Sequence, residues 1–207
     1  MPDFTLELAL HARGLSQVAG IDEAGRGPLA GPVVAAAVIL PTGYRCAGVD
    51  DSKKLSALKR EMLYGQLTSE PAVRWAVALA DPEEIDRFNI LRATHLAMRR
   101  AVQGLTPPPD HCLIDGLPIR DFPFPHDGIV KGDGLSLSIA AASIIAKVTR
   151  DRIMTGMDRE FPQFGFANHQ GYGTKAHLEA LRIYGPCRHH RRSFQPVAQL
   201  SLPFENL

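Results

Sequence analysis

Gly20-Ile21-Asp22-Glu23-Ala24-Gly25-Arg26-Gly27-Pro28 puts two adjacent carboxylates at the end of an apolar stretch and a glycine-arginine-glycine turn directly after them. Carboxylates side by side repel, and the usual compensation is a hard divalent cation held by oxygen ligands. Glycines beside the pair let a ligand or another backbone approach closer than any Cβ allows. A cation beside bare main chain suits the handling of a phosphodiester. Successive residues of a strand point to opposite faces. Asp22 and Glu23 are therefore expected to share a site because the strand ends there, with Gly25 and Gly27 providing the break.

Working outward, Val18 to Asp22 reads as a short buried strand and Pro32 to Leu40 as another, rich in valine. Ala72 to Ala80 reads as a third, its buried face formed by the alternating Val73, Trp75, Val77 and Leu79. Asp81-Pro82-Glu83-Glu84 carries an aspartate cap, a first-position proline and first-turn acids. It predicts one helix through Leu91, Met98 and Val102 to Gly104, followed by a rigid Thr106–Pro109 connection. His111 to Ile114 is a fourth strand ending at Asp115-Gly116. Ser136 to Met157 reads as a long helix whose small residues Ala140 to Ser143 let it pack close to a sheet. Thr174 to Tyr184 reads as a last helix, stopped by Gly185-Pro186. This order predicts an α/β fold with a mixed central sheet, residues 1–157, and a C-terminal helical extension, 158–207, packed on it as one compact unit.

Asp22, Glu23 and Asp115 then fall at carboxyl ends of strands, the edge where sites of α/β sheets collect. Asp133, in Lys131-Gly132-Asp133-Gly134, precedes the long helix in a glycine-flanked loop able to bend toward that edge. Each acid alone fits a cap or turn; four at element ends beside glycines exceed what capping needs. Two Mg²⁺ or Mn²⁺ ions held by such a set can activate water and stabilise a leaving oxygen in phosphodiester displacement.

The formal charge of +1 hides a patterned surface. Ala180 to Leu200 holds Arg182, Arg188, Arg191 and Arg192 and no acid, and Lys53 and Lys54 form a second basic stretch. Cys46, Cys112 and Cys187 are odd in number and widely spaced, which predicts reduced thiols in a cytoplasmic protein. Cys187 with His189 and His190 suggests zinc but lacks a second half. No segment has the length and apolarity of a membrane span and no leader is recognisable. Gly25 to Ala30 formally matches the dinucleotide fingerprint G-x-G-x-x-A, with Asp50 and Asp51 near the ribose-acid position. That motif must open a helix, whereas Gly31-Pro32 and a valine-rich strand follow, so the match is rejected.

The sequence resembles bacterial ribonuclease HII, of the type 2 ribonuclease H family. The resemblance rests on Gly20 to Gly27, Asp51-Ser-Lys-Lys-Leu-Ser56, Ile114-Asp-Gly116, Val130-Lys-Gly-Asp133, Ser138 to Lys147, Gly171-Tyr-Gly-Thr-Lys175 and His190-Arg-Arg-Ser-Phe194. These motifs span nearly the whole chain in order.

The resemblance implies a ribonuclease H-like fold and an endonuclease that cuts RNA in RNA–DNA hybrids and 5′ of single ribonucleotides embedded in duplex DNA, leaving 5′-phosphate and 3′-hydroxyl ends. It implies Asp22, Glu23, Asp115 and Asp133 as catalytic, metal-binding carboxylates, with Asp151 structural instead. Gly25, Arg26 and Gly27 match the segment that recognises the 2′-hydroxyl, and Tyr172 matches a tyrosine stacking on the adjoining deoxyribose. Lys53, Lys54, Lys147, Arg191 and Arg192 are candidates for phosphate contacts; Lys147 has the alternative of balancing the carboxylates. Gln170 and Arg188-His189 depart from the family's usual residues. A monomer is expected, and a replication-clamp partner is left open.

Overall fold

The computed structural model describes residues 1–44, 48–49, 52 and 55–200. Five strands form one sheet in the order β3-β2-β1-β4-β5. They are β1 (Val18–Ala24), β2 (Val33–Ile39), β3 (Arg74–Ala80), β4 (His111–Asp115) and β5 (His126–Ile129). The sheet is mixed as expected: β1 runs antiparallel to β2 and parallel to β4.

On one face of the sheet lie α3 (Pro82–Phe88) and α4 (Ile90–Gln103), over Ala19, Ile21, Val33, Ala35 and Ala37. On the other lie α2 (Ala57–Ser69) and α5 (Leu137–Glu160), over Ala36 and Val38. The α1 helix (Thr5–His11) closes one end through Leu10, which packs with Val18, Leu113 and Ile139. The C-terminal elements are α6 (Phe166–His169), α7 (Lys175–Tyr184) and α8 (Val197–Leu200). They close on the far half of α5 through Met154, Phe164, Phe166, Leu181 and Val197.

Three sequence expectations change. The helix drawn from Asp81 to Gly104 is two helices, broken at Asn89, whose φ of 69° lies outside the helical region. The Asn89 side chain accepts a hydrogen bond from the Arg92 amide at 3.1 Å and so restarts the chain as α4. On β3 the expected face divides: Val73 is buried and Val77 packs against the α2–α5 side as expected, but Trp75 and Leu79 do not join them. Trp75 and Leu79 are 37% and 40% exposed, while Ala76, Ala78 and Ala80 pack toward α4. An edge strand beneath a close helix has room for alanine there, and Trp75 instead meets Tyr64 of α2. The long helix also continues to Glu160, beyond the expected Met157.

The contact that positions the site is α5 on β1. Every residue from Leu137 to Ala146 is buried, and Gly20 lies directly under the main chain of Ser138 and Ile139. A Cβ at Gly20 would overlap backbone atoms, which cannot swing aside as a side chain can. Gly20→Ala is therefore expected to cost at least about 1–3 kcal/mol, the usual range for overpacking. Thermal unfolding checks this, and an unchanged melting temperature would refute the close contact.

Candidate active site

Asp22 and Glu23 do not stand at the end of their strand. β1 continues through both, pairing Asp22 with Ala36 and Glu23 with Ala35 on β2. The strand does not end, but its pairing on the other side does: the ladder with β4 stops at Ile21↔Ile114. Past that point β1 and β4 part. Asp22 faces α5 and Glu23 faces α4, yet both border the opening, and Asp115 closes β4 across it. A cavity of about 280 Å³ is lined by all three acids together with Ser52, Ser143 and Lys147. The Ser52 and Ser143 hydroxyls are hydrogen-bonded at 2.8 Å.

Asp133 is buried in a 3-10 turn, Gly132–Gly134, and does not border this cavity. Its turn is tied to the site because the Gly132 amide donates to Asp115 Oδ1 at 2.7 Å. Glu7 anchors the same region from α1: its Oε1 accepts from Ser136 Oγ, Ser138 Oγ and the Ser138 amide at the start of α5.

Burial, then the neighbouring charges of Glu23 and Asp115, push the Asp22 carboxyl well above its ordinary range; hydrogen bonds from Ser143 and the Glu23 amide oppose this. A buried carboxylate crowded by two others calls for a cation. Among the described residues no group of three His, Cys, Asp or Glu side chains is arranged to hold an ion alone. The carboxylates and hydroxyls lining the cavity offer oxygen donors. That fits a hard divalent ion such as magnesium, which takes one or two carboxylates and completes its shell with water and substrate oxygens.

The Gly25-Arg26-Gly27 turn is held from behind by two buried arginines. Arg191, from the C-terminal segment, is fully buried. It donates to the carbonyls of Gly31 (2.9 Å), Arg26 (2.8 Å) and Gly25 (2.5 Å). Arg150, from α5, donates to Pro32, Ala30 and Gln170 at 3.0–3.2 Å. Among the described residues neither guanidinium contacts a carboxylate; six carbonyl dipoles satisfy the pair. Burial pulls the Arg191 guanidinium down to about 9, and the charge of Arg150 adds to the fall. It remains charged at neutral pH.

The geometry has a direct consequence. Carbonyl and following amide of a trans peptide point in opposite directions. With the oxygens of Gly25 and Arg26 turned inward, the amides of Arg26 and Gly27 face out, and neither makes a hydrogen bond among the described residues. Gly25 has φ of 95°, and a Cβ there would overlap the Arg150 guanidinium. Arg26, by contrast, is exposed and pairs with Glu23 at 3.2 Å.

Tyr172 borders the same cavity and is about half exposed; a Cβ built on Gly27 would meet its ring at 3.5 Å. Its main chain is anchored by two buried histidines. The Cys187 amide donates to His190 Nδ1 at 3.0 Å, which places the proton of neutral His190 on Nε2. That proton goes to His177 Nε2 at 3.0 Å, and His177 Nδ1–H donates to the Tyr172 carbonyl at 2.8 Å. A second proton on His190 would have to sit where the Cys187 amide points.

Burial first, then the proximity of His177, lowers His190 to about 4, and burial lowers His177 as well. Between roughly pH 6.5 and 4 these histidines bind more protons in the unfolded chain than in the folded one, so their contribution to stability falls as pH drops through that window. The slope due to His190 is at most about 1.4 kcal/mol per pH unit. His190→Asn should flatten the dependence of melting temperature on pH in this window, whatever its own stability. An unchanged slope would refute the neutral pair.

Of the basic residues expected to touch phosphate, Arg191 is corrected: it lies inside the protein and its donors are taken by carbonyls. Arg192 is exposed and its amide donates to Asp86. Lys147 borders the cavity and pairs with Asp151 at 2.7 Å. Lys53 and Lys54 lie outside the described residues, as do Asp50, Asp51 and Cys46. The zinc suggestion falls: Cys187 Sγ and His177 approach opposite nitrogens of His190, and His189 turns to Glu160. Arg150 and His177 were missed, since neither an arginine in a long helix nor a lone histidine carries a sequence signal of its function.

Residues 19–197 match the sequence model of the ribonuclease HII family. The chain is 53% identical over 201 residues to a ribonuclease HII of Geobacillus kaustophilus, covering 97% of this chain and 76% of that one. It is 54% identical over 200 residues to a ribonuclease HII of Geobacter metallireducens, covering 97% and 93%. Among solved structures, the ribonuclease H2 of Pyrococcus horikoshii superposes with a TM-score of 0.73 at 28% identity, over 89% of this chain and 96% of that one. The chain belongs to the ribonuclease HII family. It is accordingly an enzyme, a nuclease of the hydrolase class.

Proposed function

We propose that this protein cuts the RNA strand of RNA–DNA hybrids and cuts 5′ of single ribonucleotides embedded in duplex DNA, leaving 5′-phosphate and 3′-hydroxyl ends. One observation carries the reading: Asp22, Glu23 and Asp115 line one cavity with the outward-facing Arg26 and Gly27 amides and the exposed Tyr172 ring. Bound by Asp22, Glu23, Asp115 and Asp133 with substrate present, two Mg²⁺ or Mn²⁺ ions would supply an activated water and charge compensation at the leaving oxygen.

The chain's own residues supply the selection. The two free amides meet the scissile phosphate and the oxygen of a 2′-hydroxyl, a group DNA lacks. Tyr172 stacks on the following deoxyribose, so an RNA-to-DNA junction is read by shape. Arg192, Lys147, Lys53 and Lys54 hold backbone phosphates and carry no sequence information. The protein acts as a monomer in the cytoplasm. Its Cys112 and Cys187 thiols are free, and among the described residues no helix is long and apolar enough to cross a membrane.

The test compares three labelled duplexes in Mg²⁺, in Mn²⁺ and in EDTA: all-DNA, DNA with one ribonucleotide, and an RNA–DNA hybrid. Metal-dependent cutting 5′ of the lone ribonucleotide with DNA spared is the expected result. Cutting of the hybrid alone would remove the junction role from Tyr172, and no cutting in either metal would overturn the reading.

A further inference from the structure

We infer that the groove between α4 and the 116–121 loop receives the nucleic-acid strand on the 5′ side of the cut, with Arg92, Arg99 and Arg120 against its phosphates. This rests on the proposed reading of Tyr172.

Three cavities lie in series. The carboxylate cavity shares Glu23, Arg26 and Asp115 with a neighbouring one of about 350 Å³. That one in turn shares Leu91, His95 and Ile119 with an outer one of about 600 Å³. A strand lying on Tyr172 on the 3′ side of a ribonucleotide must cross Glu23 and Asp115 and leave by another side. The groove over α4 is an open continuation there.

Its charge changes along the way in the sense a phosphate chain requires. The inner part is acidic and belongs to the cations; the outer part carries Arg92, Arg99 and Arg120 against one acid, Asp121. Arg99 Nε is buried without a partner, although its Nη2 holds the Asp121 carbonyl at 3.0 Å. A buried guanidinium N–H left unpaired invites an acceptor from outside. Arg92 makes no side-chain hydrogen bond or ion pair among the described residues, and Arg120, 95% exposed, has only a loose 3.7 Å contact with Asp121. Burial first, then the charges of Arg26 and Arg99, lower His95 between the two chambers, so both arginines bear on the same space. Between the arginines, Leu91, Leu96 and Ile119 form an apolar floor suited to sugar and base edges. From Leu91 to Arg99 the helix rises ~12 Å, the length of roughly three or four stacked nucleotides.

The experiment uses the full chain and two duplexes carrying one ribonucleotide: one long on its 5′ side and short on its 3′ side, the other its mirror. Binding is read by fluorescence anisotropy in EDTA over a salt series, and cleavage in Mg²⁺ as kcat and KM. For Arg92→Ala with Arg120→Ala, affinity for the 5′-long duplex is expected to fall about tenfold and the salt slope to drop by roughly two. The mirror duplex and kcat should stay unchanged. Arg99→Gln, whose guanidinium also supports the loop, is read separately against its melting temperature. Equal loss on both duplexes, or no loss on either, overturns the groove. If the wild type cuts neither duplex but the asymmetry in binding persists, the cleavage reading fails and the groove stands.

Discussion

Asp22→Asn loses cleavage by at least about 10³-fold, some 4 kcal/mol of barrier, while the metal-free protein becomes more stable. Both effects have one cause. The Asp22 carboxylate is buried against Glu23 and Asp115, an arrangement that is costly until a cation arrives. Asparagine keeps the shape and can still accept the Glu23 amide bond, 2.7 Å in the native protein, but removes one of the crowded charges. Each 1 kcal/mol recovered raises the melting temperature of a chain this size by about 2–4 °C. Mn²⁺ should stabilise the wild type through binding the folded state only, and the variant far less. Melting curves in EDTA and Mn²⁺ beside a cleavage assay test all three points. Wild-type turnover by the variant would end the assignment of Asp22.

Arg191→Ala is the largest structural lesion expected. It strands the carbonyls of Gly25, Arg26 and Gly31, which are held by one buried guanidinium. Each acceptor left unpaired costs ~1–3 kcal/mol, so with three of them a fall of at least about 6 °C in melting temperature follows. Arg191→Lys keeps the charge but reaches fewer of the three oxygens. Its informative readout is selectivity: cutting at a lone ribonucleotide should fall more than Mn²⁺ binding does, because the outward amides lose their aim and the carboxylates keep theirs. A variant with native stability and native selectivity would show that the turn holds itself.

The parts of the fold legible in the sequence are those where one residue type has one structural use. The valine and alanine run of β2 can only be buried, and the small residues of α5 can only be a close contact. Regions where a residue type has two uses misled or stayed silent. Asn89 reads as an ordinary helix residue, though its tolerance of positive φ makes it a break. The α2 helix buries only Leu63 and Leu67, too little to stand out as a periodic face. His126–Ile129 is a short edge strand containing Gly128 and reads as a turn. Within the cavity, Asp22 and Glu23 stood out in the sequence because adjacent carboxylates beside glycines have few innocent explanations. Arg191 did not, since a guanidinium in a basic run looks the same whether it faces water or three inward carbonyls.

Where α5 crosses β1 at Gly20, main chain lies on main chain with no side chain between. Helix and strand elsewhere are spaced by whatever side chains fill the gap, and any change of volume there shifts one against the other. At this crossing there is nothing to resize. Ser143 and Lys147 on the helix and Asp22 on the strand are thus measured from a common, incompressible reference. The core on either side can exchange one apolar residue for another, and drift over generations, without altering the dimensions of the chemistry it surrounds.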